Sequence, residues 1–241
     1  MIALSPLDEA RFGIRTAKAY DLTEACLPEV LGFCEREKIR FLIARCSASD
    51  LALVHRLESE RFLLMDTLVY YRHKNLAATP AARPDGITIR PVRPGEEKPV
   101  RSIAEQAFRG YQGHYHADPR LDSKDCDETY MDWAVRACES REDGRSEVLV
   151  AESSEGLLGF ATLRMESPDE GEGVLFCVSP TAQGKGIYRL FMIHGMEWSR
   201  ANGAKSMVVS TQVTNLAVQK AWVRLGFEPC GSAYTFHRWF A

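Results

Sequence analysis

No C-x-x-C pair occurs among the seven cysteines (Cys26, Cys34, Cys46, Cys126, Cys138, Cys177 and Cys230), and no close Cys/His quartet accompanies them. A structural zinc site therefore has no ligand set, and an odd number of scattered thiols suits a reducing compartment. Basic charge is not in excess. Lys and Arg number 30 against 33 Asp and Glu, a formal charge of −3, so no global field favours nucleic acid. No apolar run approaches the length of a membrane span. The start, MIALSPLDEARFGIR, lacks the basic stretch and apolar core of a secretory signal. These absences point to a cytoplasmic protein with no metal, no membrane and no nucleic-acid partner. What is present is ordinary for a globular chain. Of 241 residues, 45% are hydrophobic and 26% charged, enough to bury the core of one large domain or two small ones.

The stretch AATPAARPDG, residues 77–86, is small, Pro-rich and polar, and reads as a linker. It divides a unit over 1–76 from one over 86–241, with the linker at 77–85. Beyond it, alternation at Ile87 and Ile89 predicts a strand, and Val100, Ile103, Ala104 and Ala107 predict a helix face. An aromatic, His-rich loop, RGYQGHYHADPR, fills 109–120, and a helix is expected from about Asp125 to Ser140. SEVLVAES and GLLGFATLRM read as a strand pair turning at Ser154 to Gly156. The nearly all-apolar run Gly173 to Val178 reads as a central strand. Gly186 to Ala201 reads as a helix stopped at Asn202-Gly203, and KSMVVST as another buried strand. Asn215 is placed to cap a helix that ends near Gly226, and FEPCGSAYTFHRWF reads as closing strands.

The first unit contains a partial copy of the last. KIRFLIARCSASDLALVHRLESERFLLMDTLVYYRHK aligns with AKSMVVSTQVTNLAVQKAWVRLGFEPCGSAYTFHRWF at an offset of 165. Asp50 stands twelve residues before Phe62, and Asn215 twelve before Phe227. The alternative is chance similarity between two amphipathic αβ units. The N-terminal copy has no glycine-rich loop, which assigns it a structural role.

The segment SPTAQGKGIYRLFM, residues 179–192, leads from a strand end into a helix. The first amides of a helix lack internal partners, and a glycine-containing entry lets several converge on one anion. Lys185 adds charge. A dinucleotide-binding fold places such a loop after its first strand, and this one comes late. A Walker loop needs Gly-Lys-Ser/Thr, and Gly186-Ile187 fails that. A pyrophosphate of another kind is indicated.

VSPTAQGKGIYRLFM resembles the acyl-CoA motif of the GNAT acetyltransferases, Gln/Arg-x-x-Gly-x-Gly/Ala. Gln183 and Gly186 match it, and Tyr188 departs from the final small residue. Asn215 with Gly226-Phe227 is similar to the family's second motif, and the resemblance covers about residues 86–241. It implies an α/β (α+β) fold, a mixed central sheet flanked by helices, with residues 1–76 as a partial GNAT-like domain. It implies acetyl-CoA lying where the strands about 174–178 and 205–211 splay apart. The backbone of Phe176, Cys177 and Val178 would pair with the pantetheine arm. The amides of Gln183, Gly184, Lys185, Gly186, Ile187 and Tyr188 would hold the pyrophosphate. The Asn215 side chain would bond the arm, and the Val178 amide would be the oxyanion donor. The tyrosine that serves many members as an acid, seven residues after the motif Asn, is here Trp222. An indole N–H cannot serve as that acid, so Trp222 reads as core or cofactor packing.

YHADPRLD, YMDWAVRAC and YTFHRWF also resemble nucleotide-sugar (dTDP-fucosamine-type) N-acetyltransferases. That implies a nucleotide-linked amino-dideoxy sugar as acceptor, and the loop 109–120 suits one. Tyr111 and Tyr115 offer stacking faces, Arg109 and Arg120 a fork for diphosphate, and Asp118 an acceptor for hydroxyls. The candidate bases are His114, His116 and Glu172, with His237 expected to pack or to bond substrate. The alternatives are another amine (an antibiotic, a polyamine, a protein N-terminus) or a CoA-binding module without catalysis. Edge strands and the aromatic C-terminal strand suggest a homodimer.

Overall fold

The computed structural model describes residues 1–76, 86–140 and 144–241. The linker expected at 77–85 lies outside the described residues. The first unit runs β1 (Ile2–Leu4), α1 (Pro6–Phe12), β2 (Thr16–Leu22), α2 (Leu27–Arg36), β3 (Phe41–Ser47), α3 (Leu51–Ser59) and β4 (Leu63–His73). The second runs β5 (Thr88–Pro91), α4 (Glu97–Ala107), α5 (Ser123–Glu139), β6 (Ser146–Ser153), β7 (Gly156–Ser167), β8 (Glu170–Val178), α6 (Ile187–Ala201), β9 (Ser206–Gln212), α7 (Leu216–Arg224) and β10 (Glu228–Trp239). One short 3-10 turn, Pro180–Ala182, joins β8 to α6. The elements expected from the sequence, β3–α3–β4 and β5 onward, are present, whereas β1, α1, β2 and α2 were not anticipated. Bounds differ at α5, which begins at Ser123, and at β8, which takes in the EGEG run as strand. Among the described residues no helix is long and apolar enough to cross a membrane, and no group of acidic, His and Cys side chains is placed to hold a metal.

The ten strands form one mixed sheet in the order β1-β2-β3-β10-β4-β9-β8-β7-β6-β5. The two copies of the strand–helix–strand unit, β3–α3–β4 and β9–α7–β10, have exchanged their last strands. β10 lies antiparallel between β3 and β4, and β4 lies antiparallel between β10 and β9. The register shows that the exchange is reciprocal. Moving the pair Ala233↔Ser47 back and forward by 165 residues gives Leu68↔Gln212, which is the observed pair. The β4–β10 pair carries two bulges that leave out Met65 and Cys230, again 165 apart. The pair Ala233↔Leu68 maps onto itself and so marks a local two-fold axis. The caps repeat too: Asp50 accepts from the Leu53 amide and Asn215 from the Val218 amide.

This exchange corrects one expectation. The aromatic C-terminal strand is paired on both sides and offers no edge to a second copy. The sheet edges are the short strands β1 and β5. α6 buries a broad face, from Ile187, Leu190 and Phe191 to Met196, in a core shared with Trp222 and Phe227. α4 and α5 cover β6, β7 and β8 with a second core around Val100, Tyr130 and Phe160. α2 and α3 pack on the first unit around Leu42, Leu53 and Phe236.

Candidate active site

β8 and β9 run parallel for four pairs, Glu170↔Ser206 to Gly173↔Val209, and then part. The cause is local. Opposite β7, Gly173 pairs with Leu163 and Leu175 with Thr162, so Val174 is a bulge that bends β8. Only glycine fits at 173. A Cβ there would lie 2.6 Å from the Phe176 ring and 2.9 Å from Met207 Cε. Residues 175–178 keep their β7 partners, and residues 174–178 have no pairing with β9. The end of β8, with half-buried Phe176 and Val178, is thus left without a strand neighbour on its β9 side.

The loop that follows β8 is open. Gly184 and Gly186 have φ of 79° and 77°, and nothing lies within 4 Å of where a Cβ would stand on either. No carbonyl or side chain accepts from the amides of Gly184 to Arg189 among the described residues, and α6 starts without a side-chain cap. Six amides at a positive helix end thus lack a partner among the described residues, and the stretch Gly184 to Gly186, with Lys185, is exposed. This arrangement fits a pyrophosphate. Asn215, by contrast, is committed. Its Oδ1 caps α7 and its Nδ2 donates to Thr211 Oγ1 at 3.1 Å.

The two departures from the motif prove to be one contact. The Tyr188 side chain lies inward beside Phe176, and Trp222 Nε1 donates to its hydroxyl at 2.8 Å. Trp222 is 2% exposed and packs against Tyr71 of β4, so it is core and ties α6 to α7. Burial holds the Tyr188 phenol above its usual range. Nothing in the sequence linked these residues, which are 34 positions apart.

The loop 109–122 covers the opposite face of the sheet. Asp118, His237 and His114 form a chain within it. Asp118 Oδ2 is 2.9 Å from His237 Nδ1, and His237 Nε2 is 2.9 Å from His114 Nδ1. Trp239 Nε1 and the Arg120 amide also donate to Asp118. Burial pushes the Asp118 carboxyl up, but these donors outweigh it and hold the group below its ordinary value. An ionised Asp118 accepts from His237 Nδ1–H, which leaves His237 Nε2 to accept from His114 Nδ1–H. His114 Nε2 then carries a lone pair, and it has no hydrogen bond among the described residues. Burial lowers the pKa of both histidines; at His114 the nearby His237, Arg45 and Lys18 add to it.

The other residues expected here divide. Tyr115 is 4% exposed, with its hydroxyl bonded to Asp8 at 2.9 Å and to Lys18 at 3.0 Å, so its ring pins the loop to the first unit and has no face left for substrate. Asp118 is 3% exposed and serves the histidine chain, not substrate hydroxyls. His116 has both ring nitrogens engaged, by the Gly113 amide and by Asp127. Tyr111 packs edge-on against Phe108 and Tyr130, and its hydroxyl meets Gln212 at the end of β9. Arg109 is exposed, and Arg120 lies over the Trp239 ring. Glu172 bonds Arg164 at 2.5 Å. Burial raises its pKa despite that partner.

The two histidines give a pH prediction. Their folded pKa values lie below the unfolded value of about 6.5, so below that pH the unfolded chain takes up protons that the folded chain refuses. Stability is then lost as pH falls through the range just under about 6.5, before most carboxylates titrate. Glu172, whose folded value is raised, works weakly the other way. Urea midpoints should fall between pH 7.5 and 5.5; a flat midpoint contradicts the buried neutral pair.

Residues 107–227 match the acetyltransferase (GNAT) family. The chain is 28% identical over 148 residues to the mycothiol acetyltransferase of Saccharopolyspora erythraea, covering 61% of this chain and 45% of that one. It is 22% identical over 210 residues to the spore coat polysaccharide biosynthesis protein SpsD of Bacillus subtilis, covering 85% of this chain and 68% of that one. The chain thus spans about half the length of the mycothiol acetyltransferases it matches. The solved GCN5-related N-acetyltransferase of Sphaerobacter thermophilus superposes with a TM-score of 0.64 at 14% identity, over 99% of this chain and 76% of that one. That likeness concerns the fold.

Proposed function

We infer that this chain, which belongs to the GNAT acetyltransferase family, moves acetyl from acetyl-CoA directly to the amine of a small molecule, a nucleotide-linked amino sugar. The observation that carries the reading is the departure of β8 from β9 beside six unpartnered amides. Acetyl-CoA supplies a reactive thioester when bound. The amides of Gly184 to Arg189 hold its pyrophosphate, and Gly186 lets the backbone approach. The vacant side of residues 176–178 gives its arm a strand partner, and the Val178 amide is the donor for developing negative charge.

His114 Nε2 takes the proton that the amine must lose, and Asp118 through His237 steadies the cation formed. Glu172 is the second candidate. Its raised pKa suits a base, but Arg164 occupies it. A thiolate leaves without an acid, since thiols ionise near pH ~8.5, and the Trp222 N–H is already spent on Tyr188. The sugar reading has the polysaccharide-related relative in its support, because that match extends into the first unit.

Mass spectrometry of acetyl transfer across nucleotide-linked amino sugars, polyamines, aminoglycosides and peptides tests the acceptor. Acetylation of at least one amino sugar nucleotide at a higher kcat/KM than any other amine is expected. Reaction with peptides alone removes the sugar reading. Tight CoA binding with no turnover on any amine removes the enzyme reading.

A further inference from the structure

Three side chains stand in one row on the sheet face beneath the loop 109–122. Thr235 of β10 is paired with Arg45 of β3 on one side and with Asp66 of β4 on the other. Directly paired residues project to the same face. Both carboxylate oxygens of Asp66 are buried, and neither has a hydrogen-bond partner among the described residues. That is costly for a charged group, and it is out of character for this molecule. Buried Asp8 has Ser5, Tyr115 and Lys18, and buried Asp118 has His237, Trp239 and the Arg120 amide. Asp66 instead stands among Tyr111, Tyr130 and His237, all near enough to feel its charge. Val213 donates to the Thr67 carbonyl, which fixes Asp66 just past the end of β9.

Arg45 is the complement. Its Nε donates to Thr235 Oγ1 at 3.3 Å, and its guanidinium lies over the Tyr20 ring. No carboxylate pairs with it among the described residues. The repeat does not demand this row. The positions equivalent to Arg45 and Asp66 in the other copy are Ser210 and Gly231. A cation and an anion, each without a counter-ion among the described residues and two strands apart, stand on one face of the sheet.

We propose that this row is the acceptor site, with Asp66 receiving a primary ammonium and Arg45 an anionic group of the same molecule. The inference rests on the acetyl-transfer reading and names the chemistry of its acceptor. Two strand spacings put ammonium and anion on the order of 10 Å apart, a separation that an amino sugar carrying a phosphate spans. Entry runs past Tyr111, the half-buried ring beside the carboxylate. Both charges come from the first unit, which therefore contributes to the site and does not merely support the sheet. Asp66 binds the ammonium; the proton itself leaves through His114.

Two measurements on the whole chain test this. Without ligand, Asp66→Asn removes an unpartnered buried charge, so its Tm should lie about 2–4 °C above wild type; an unchanged or lower Tm shows that Asp66 has a structural partner and overturns the proposal. With acetyl-CoA and any amine that wild type acetylates, Asp66→Asn should lose at least about 100-fold in kcat/KM. Acetyl-CoA affinity should stay within twofold. In a comparison of glucosamine 1-phosphate with glucosamine, Arg45→Met should raise KM for the phosphate alone. Wild-type kcat/KM in Asp66→Asn overturns the proposal. If wild type acetylates no amine, the transfer reading fails, and the melting comparison still decides Asp66.

Discussion

Replacing Gly186 with tryptophan should leave a folded protein that no longer binds acetyl-CoA. Gly186 has φ of 77°, so any L side chain there is strained by about 1–2 kcal/mol. A Tm loss of roughly 2–8 °C follows for a chain of this size. No atom lies within 4 Å of the new Cβ, so the core does not resist the indole. The side chain occupies the space in front of the amides of Gly184 to Arg189, where the pyrophosphate belongs. Losing two charge-assisted hydrogen bonds there costs about 3–6 kcal/mol, a fall in affinity of about 10²- to 10⁴-fold. Gly186→Ala carries the same strain without the bulk and should bind nearly as wild type. Calorimetric titration of CoA against the three proteins separates strain from obstruction. Equal affinity in Gly186→Trp and wild type would sink the assignment of this loop.

His114→Ala should lower the rate of transfer by about 10²-fold or more, the usual weight of a positioned base, with acetyl-CoA affinity unchanged. Hydrogen-bond direction singles out His114. Asp118 is held ionised by three donors, which fixes His237 as donor through Nδ1 and acceptor through Nε2. His114 is then left with an unprotonated Nε2, linked through His237 to a carboxylate that steadies a cation formed there. Asp118→Asn breaks this order, since an amide can donate to His237 and reverse the chain. It should lower kcat more than it raises KM, and the lower limb of the pH profile should move. The sites are few enough to resolve by comparing His114→Ala with Glu172→Gln. If Glu172→Gln is the one that loses 10²-fold and His114→Ala is near wild type, the proton leaves through the glutamate.

The backbone features of the proposed donor site were legible in the sequence because they are local. The Gln183 to Gly186 loop, the strand before it and the capping residue Asn215 lie in short stretches whose backbone requirements show in residue type: glycine where φ is positive, asparagine where a helix begins. The splay was implied only by resemblance, and its cause, the Val174 bulge beside a glycine that Phe176 and Met207 leave no room to replace, is a matter of pairing and packing. The proposed acceptor row was not legible, and the reason is the strand exchange. Arg45, Asp66 and Thr235 become neighbours only because β10 crosses into the first unit. His114 meets His237 across 123 positions for the same reason. The repeat at 165 residues was visible as a pattern of strand, cap and helix, but a pattern cannot say whether a copy keeps its own last strand or trades it. Tyr115 and Asp118 misled for a related cause. A loop rich in Tyr, His and Asp reads as a binding surface, whereas half of those groups are turned inward, to Asp8, Lys18 and His237, to hold the loop on the sheet.

Acetyl-CoA is expected to enter between β8 and β9 with its pyrophosphate on the first amides of α6. Backbone amide NMR of the whole chain during titration with CoA tests it residue by residue. The largest shifts are expected at Gly184 to Arg189 and along 174–178, with little change at Asp50 to Leu53, where α3 begins with a capped, glycine-free turn. Saturable CoA binding that leaves Gly184 to Arg189 unmoved, and shifts another surface, would contradict the account.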